Sequence, residues 1–226
     1  SSSAASDVYK RQVPGVPIMK SKDLVNWELV SYAYDRLTDD VPAMNLDDGQ
    51  NTYGRGSWAS CIRYHKGMYY VSTFAQTTGK TYFFMTRDIE KGPWKRMEFA
   101  PSCHDHTFFF DEDGRNYLIY GNGKLFIAEL DGDIAVVDLP EYVEGPWLHV
   151  RNGIYYLTYA SMGEGRENIA YATASGMEGP WTYRGELTGM AENSFTIHPA
   201  IVEFKGKWYL FYHNAALTLD GRAGAI

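Results

Sequence analysis

One short aromatic phrase recurs along this chain and restricts what it can fold into: Tyr-Val-Ser-Thr from Tyr70, Tyr-Leu-Ile-Tyr from Tyr117, Tyr-Leu-Thr-Tyr from Tyr156 and Tyr-Leu-Phe-Tyr from Tyr209. The copies are 39 to 53 residues apart, which suits propeller blades and is too uneven for helical repeats of fixed length. A turn signal precedes each copy: His65-Lys66-Gly67, Asp111 to Arg115, Arg151-Asn152-Gly153 and Lys205-Gly206-Lys207. Before each turn runs an extended apolar stretch, at residues 58–64, 106–110, 147–150 and 199–204. The pattern reads as strand, tight turn, strand.

A second phrase closes the blades, as Ser21 to Trp27, Thr86 to Gly92-Pro93-Trp94, and Ala174 to Gly179-Pro180-Trp181. Its tryptophans, Trp27, Trp94 and Trp181, recur in phase with the repeat and are expected to pack between blades. No segment sustains the i, i+3, i+4, i+7 apolar spacing of a helix, whereas β-branched and aromatic clusters bounded by Gly, Asp and Asn occur throughout. The expected fold class is all-β. Blades fall near residues 13–35, 57–100, 103–140, 144–190 and 195–226, with a loop-rich link at 36–56. Closed rings avoid unpaired edges, so five blades is the smallest count that fits. The expectation is therefore an incomplete five-bladed propeller at 13–226, with the inner strands of the first blade upstream and the last blade cut short. Residues 1–12 share no pattern with the rest and read as a leader that is not native.

Composition narrows the partners. The formal charge of −7 disfavours a nucleic-acid backbone or an anionic membrane surface, and a neutral ligand fits better. There is no apolar run of about 18 residues, and the amino end lacks signal-peptide zones. The two cysteines, Cys61 and Cys103, match no metal motif and read as buried free thiols. G-x-S-x-G and phosphate-binding glycine loops are absent. Asp111 to Gly114 lacks the remaining ligands of a calcium loop and reads as a hairpin turn. His104-x-His106 would put two imidazoles on one face of a strand, but no third metal ligand is evident.

Superposing the repeats on their Tyr phrase brings four other residues into register. Twelve positions before the phrase stand Trp58, Asp105 and Glu144, and eleven positions before it in the last copy stands His198. Innermost blade strands line a propeller's channel, so these side chains are expected to converge. Two carboxylates around one pocket suit glycosidic bond cleavage: one, protonated, assists the leaving oxygen, and the other activates water or attacks.

Glu144-Gly145-Pro146, the run from His104-Asp105 to Phe108–Gly114, Ser57-Trp58-Ala59 and Ser21–Trp27, in this order and at blade spacing, resemble glycoside hydrolase family 43 over roughly residues 13 to 226. The resemblance implies a five-bladed propeller and inverting hydrolysis of xylose- or arabinofuranose-containing oligo- and polysaccharides, with β-xylosidase favoured over α-L-arabinofuranosidase. It implies Glu144 as general acid and Asp105 as the carboxylate that orients the acid and holds its pKa up. His198 would contact a central water or, in some members, a channel metal ion, although no cofactor is required. Trp58 and the imidazoles of His104 and His198 would contact the sugar. The family's general base is an Asp on the inner strand of the first blade; Asp7 is not that residue, and the base is expected to be absent from this chain. Asp105-His106-Thr107 and Trp58-Ala59-Ser60 depart from the frequent Asp-Pro-Ser and Trp-Ala-Pro of the family. A propeller that only binds sugar and a propeller scaffold for protein partners are the competing readings. The equal offsets of Asp105 and Glu144 count against the scaffold. The resemblance leaves a secreted or periplasmic location open, and oligomeric state is not encoded in these motifs.

Overall fold

The computed structural model describes residues 15–52, 54–130, 132, 134–163, 166–189 and 196–214, so the expected leader at 1–12 lies outside the described residues. The chain divides after Cys103 into two compact units.

In the first unit, β1 (Gly15–Ser21) and β2 (Trp27–Tyr34) form an antiparallel hairpin. Its turn is held by Asp23, whose Oδ1 accepts the Val25 and Asn26 N–H groups at 2.9 and 2.8 Å, which explains the polar residues of that phrase. The link expected to be loop-rich contains two short 3₁₀ turns, Pro42–Asn45 and Asp47–Gly49. A meander of β3 (Cys61–His65), β4 (Met68–Ala75), β5 (Lys80–Thr86) and β6 (Lys95–Phe99) then makes a four-stranded sheet. Ile18 and Tyr34 from the hairpin pack with Val71, Tyr82 and Phe84 from the sheet, and Trp94 covers this core, as its repeat position leads one to expect.

The second unit holds three sheets. The first is β7 (Thr107–Phe110), β8 (Asn116–Tyr120), β9 (Leu125–Glu129) and β10 (Ile134–Val137). The second is β11 (Val143–Arg151), β12 (Ile154–Gly163), β13 (Arg166–Ala174) and β14 (Thr182–Thr188). The third is the pair β15 (Pro199–Phe204) and β16 (Lys207–Tyr212). Tyr117, Ile119, Leu125, Leu148, Leu157 and Tyr159 from the two four-stranded sheets share one core, with Trp181 packed against it. Leu157 is fully buried there. Leu157→Ala is expected to lower unfolding free energy by about 2–5 kcal/mol, read by denaturant titration, because the cavity cannot collapse between two sheets.

All described strands are antiparallel and consecutive within their sheets, and no α-helix occurs among the described residues. Asp111–Gly114 is a hairpin turn, closed by the Asp111 N–H to Arg115 carbonyl bond at 2.9 Å. Cys61 and Cys103 are buried free thiols. No helix among the described residues is long and apolar enough to cross a membrane. The tyrosines of the repeated phrase differ in burial. Tyr117 and Tyr159 are buried, but Tyr209 and Tyr212 on the outer strand of the two-stranded sheet are exposed by 37% and 45%.

Candidate active site

The equal sequence offsets correspond to equivalent places on four strand pairs. The Trp58 N–H donates to the Phe74 carbonyl at 2.9 Å, and the Gly121 N–H donates to the His104 carbonyl at 2.9 Å, beside Asp105. Glu144 stands opposite Ala160 in the β11/β12 ladder. The His198 N–H points at His213 Nδ1 at 3.4 Å. Each partner lies four residues after the first Tyr of its phrase, so one register repeats through the blades.

In the second unit the chain is bent at these places. Asp105 has φ +46, a left-handed conformation that Asp tolerates better than most residues, and it turns the chain just before β7. This is also why His104 and His106 do not share a strand face: the strand begins only at Thr107. His106 is buried edge-on to Phe108, while His104 turns to the carboxylates. In β11 the register slips between Glu144 and Trp147. The bulge re-aims Glu144, and Gly145 (φ +57) lies so close to His198 that a Cβ there would sit 2.7 Å from the ring. The Trp147 indole N–H donates to the Ile201 carbonyl at 2.9 Å and ties β11 to β15.

Asp105, His104, Glu144 and His198 form an alternating ring of acid and base. His104 Nε2 is 3.1 Å from Asp105 Oδ2 and 3.7 Å from Glu144 Oε2. His198 Nε2 is 3.5 Å from Glu144 Oε1 and 3.6 Å from the same Asp105 oxygen. The side chains of Asp105 and Glu144 are 5% and 12% exposed, so these charges meet with little water between them. Burial disfavours the His198 imidazolium, but the charges of Asp105 and Glu144 outweigh it and push its pKa up to about 10. His104 is raised in the same way: burial opposes its charge, and Asp105 and Glu144 overcome it.

Four residues that the repeat register did not single out join this ring or brace it. Asn122 Nδ2 donates to Glu144 Oε2 at 2.6 Å, and the Tyr142 hydroxyl donates to Asn122 Oδ1. His213 is depressed to about 4 by burial and by the neighbouring His198 charge, so it is neutral. Its Nδ1 accepts from the His198 backbone, which places the remaining proton on Nε2, 3.0 Å from Thr196 Oγ1. Glu167, from β13, brings a carboxyl oxygen within 4.8 Å of a Glu144 oxygen and a His198 nitrogen. The two carboxyls titrate as a pair. Burial resists ionisation of both, but His198 and Glu167 favour the Glu144 carboxylate and lower its pKa, while burial and Glu144 raise that of Glu167. His213 was accessible to the same register argument applied four residues after the Tyr. Glu167 and Asn122 carried no such signal. Trp58 belongs to the first unit, where it is half-buried and edge-on to Phe74 at 5.8 Å.

His104, Asp105 and Glu144 form one group, and Glu144, Glu167 and His198 a second, in which one donor atom from each residue lies within 4.8 Å of the others. Donors so grouped could hold a metal ion.

The family model for glycosyl hydrolases family 43 matches residues 4–224. A solved bifunctional GH43-CE of Bacteroides eggerthii is 42% identical, with a TM-score of 0.73 over 94% of this chain and 32% of that one. The crystal structure of xylan beta-1,4-xylosidase from Bacillus halodurans C-125 shares the fold, at 24% identity and a TM-score of 0.71 over 92% of this chain and 46% of that one. A xylan 1,3-beta-xylosidase of a Vibrio species is 27% identical over 234 residues, 87% of this chain and 43% of the relative. The chain thus spans less than half the length of these relatives. Its sheets, three of four strands and two of two, are those of an all-β, incomplete five-bladed propeller. A match along almost the entire chain, together with this fold, places the protein in glycosyl hydrolases family 43.

Proposed function

We propose that this chain is the catalytic part of an O-glycosyl hydrolase that cleaves xylose- or arabinofuranose-containing oligosaccharides with inversion, β-xylosidase favoured over α-L-arabinofuranosidase. The observation that carries the reading is the convergence of Glu144 and Asp105 with two imidazoles in one desolvated ring. The xylosidase names of relatives support the choice of sugar.

In this reading Glu144 protonates the leaving glycosidic oxygen. The base that activates water is a second carboxylate on the opposite sugar face, at the roughly 6.5–9.5 Å separation of inverting enzymes, and belongs to the inner strand of the first blade. His104 and His198 donate to sugar hydroxyls. The reading is tested with nitrophenyl β-D-xyloside and α-L-arabinofuranoside on the full-length protein: turnover with inverted anomeric product is expected, and a folded protein that turns over neither would overturn it.

Asp105 serves the acid through the histidines. Its carboxylate offsets the imidazolium charge that would otherwise hold Glu144 ionised. Asp105→Asn removes that offset, favours the Glu144 carboxylate, and is expected to move the alkaline limb of the kcat/KM profile downward by about one pH unit. An unmoved limb would remove Asp105 from this role.

No metal is needed in this reading, because the protonated His198 already places a positive charge between the Asp105 and Glu144 carboxylates. Activity is expected to survive exhaustive chelation. A loss that a divalent cation restores would show that an ion does this work.

A further inference from the structure

Glu144 is paired on two sides. One partner is Ala160 of its own sheet, and the other is Asn122, which meets it as an isolated antiparallel bridge from the neighbouring sheet. Asn122 belongs to the turn Gly121-Asn122-Gly123-Lys124 between β8 and β9, and the Gly123 N–H ties that turn to β11 by donating to the Val143 carbonyl at 2.9 Å. Glycine is required on both sides of it. Gly121 has φ +147, and a Cβ there would lie 1.9 Å from the Lys124 carbonyl oxygen; Gly123 has φ +89, with the Tyr142 ring 3.3 Å from where its Cβ would be. The side chain carried by this turn makes bonds that the backbone tie does not need. Asn122 Nδ2 donates to Glu144 Oε2 at 2.6 Å and lies 3.1 Å from His104 Nε2, while Asn122 Oδ1 accepts from the Tyr142 hydroxyl. An ionised carboxylate has no hydrogen to give, so the amide nitrogen must face it, and a hydroxyl donor at the amide oxygen fits that orientation. Both residues are exposed, Tyr142 by 45%. Hydrogen bonds among exposed groups add little to stability, so this pair is poorly explained as support for the fold.

We propose that Asn122, itself held by the Tyr142 hydroxyl, is a positioning residue for the acid: its amide fixes the rotation of the Glu144 carboxyl and so aims the proton at the leaving glycosidic oxygen. The inference rests on Glu144 being the acid. A glutamate has three side-chain torsions, so a fixed backbone alone does not aim its carboxyl. The amide removes that freedom, because its own backbone is tied to the same strand and its oxygen is held from the other side. Aim matters to rate, since a misplacement on the order of 1 Å can cost about 10²-fold. The proton passes from Glu144 to the leaving oxygen as the glycosidic C–O bond breaks; Asn122 and Tyr142 neither gain nor lose one.

The test compares Asn122→Ala, Asn122→Leu and Tyr142→Phe in the full-length protein. Leu fills the space of Asn but has no N–H to give, so it separates the hydrogen bond from packing. The proposal expects both Asn122 variants to lower kcat on xylobiose by about 10- to 10²-fold with KM within about twofold, and to lose much less on 2,4-dinitrophenyl xyloside, where the leaving oxygen needs no proton. The unfolding midpoint should stay within about 2 °C, as for other exposed positions. Tyr142→Phe keeps the amide but releases its far end, and the same pattern is expected there at roughly 3- to 10-fold. Equal losses on both substrates, a loss confined to KM, or an Asn122→Leu protein with wild-type kcat would each overturn the proposal and leave Asn122 as an ordinary turn residue. Should the variants fail to fold, side-chain amide NMR of the unmodified protein decides instead. The Asn122 amide protons are expected to exchange slowly and to differ clearly in shift, and a pair resembling a free amide overturns the proposal. The two readings fail separately: a Glu144→Gln protein with full activity, or with equal losses on the two substrates, removes the acid assignment, whereas a Glu144→Gln loss specific to xylobiose beside unaffected Asn122 variants removes only the role of Asn122.

Discussion

Glu144→Gln is expected to cut turnover of xylobiose by about 10²–10⁴-fold while leaving sugar binding nearly unchanged. The size follows from the role. A xylose leaving group departs as an alkoxide unless it is protonated, and Gln is nearly isosteric with Glu but has no acidic proton to give. On 2,4-dinitrophenyl β-D-xyloside the leaving phenolate is already stable, so the same variant should lose roughly tenfold or less. Steady-state rates on the two substrates check this directly. Equal losses would mean that Glu144 positions the sugar and does not protonate it, and retained turnover on both would make it an ordinary strand carboxylate. The surroundings add a pH condition. Contacts with His198 and Glu167 tie Glu144 to neighbours whose own charge varies with pH. The alkaline limb therefore reports the carboxyl pair as a unit, not Glu144 in isolation.

The second large effect is expected from Gly145→Ala, one methyl group added outside the reacting atoms. Gly145 has φ +57, which costs an alanine roughly 1–2 kcal/mol. The added Cβ would also lie 2.7 Å from Cδ2 and 2.8 Å from Cγ of His198. Neither the ring nor the bulge can stay in place. His198 is held at its backbone by His213 and at Nε2 by the two carboxylates, so its displacement breaks the charge ring. A shift on the order of 1 Å in a catalytic group can cost about 10²-fold in rate. The expectation is a kcat/KM loss of that order with a lowered unfolding midpoint. Wild-type kinetics in the Gly145→Ala protein would show that the His198 contact with Glu144 is dispensable.

Comparison of the site with its sequence signals shows where local information ends. The Tyr phrase and its turns are short-range features, and β-hairpins form between neighbours in the chain, so blade limits could be read to within a few residues. The same repeat located Asp105, Glu144 and His198, because equal offsets from equivalent strands place side chains at equivalent heights. It did not locate Asn122, which reaches Glu144 from the preceding sheet, or Glu167, which reaches it from the third strand of the same one. Both sit where neither strand alternation nor a motif marks a polar residue as functional. His104 illustrates a different gap. Its spacing to His106 suggested a shared strand face, and the left-handed turn at Asp105 separated them.

What the sequence determined by itself was the all-β class, the blade spacing, the buried free thiols and the register that sets the Asp105 and Glu144 carboxylates at equivalent places. Strand period, turn chemistry and repeat phase are properties of neighbouring residues, and they survive without knowledge of the packing. The tertiary structure decided the electrical character of the site. Whether a carboxyl keeps its proton depends on water excluded from around it and on charges within about 4 Å, and those charges come from segments far apart in the chain. The ring of Asp105, His104, Glu144 and His198, and the Glu167 carboxyl behind it, exist only once three sheets of the second unit have packed.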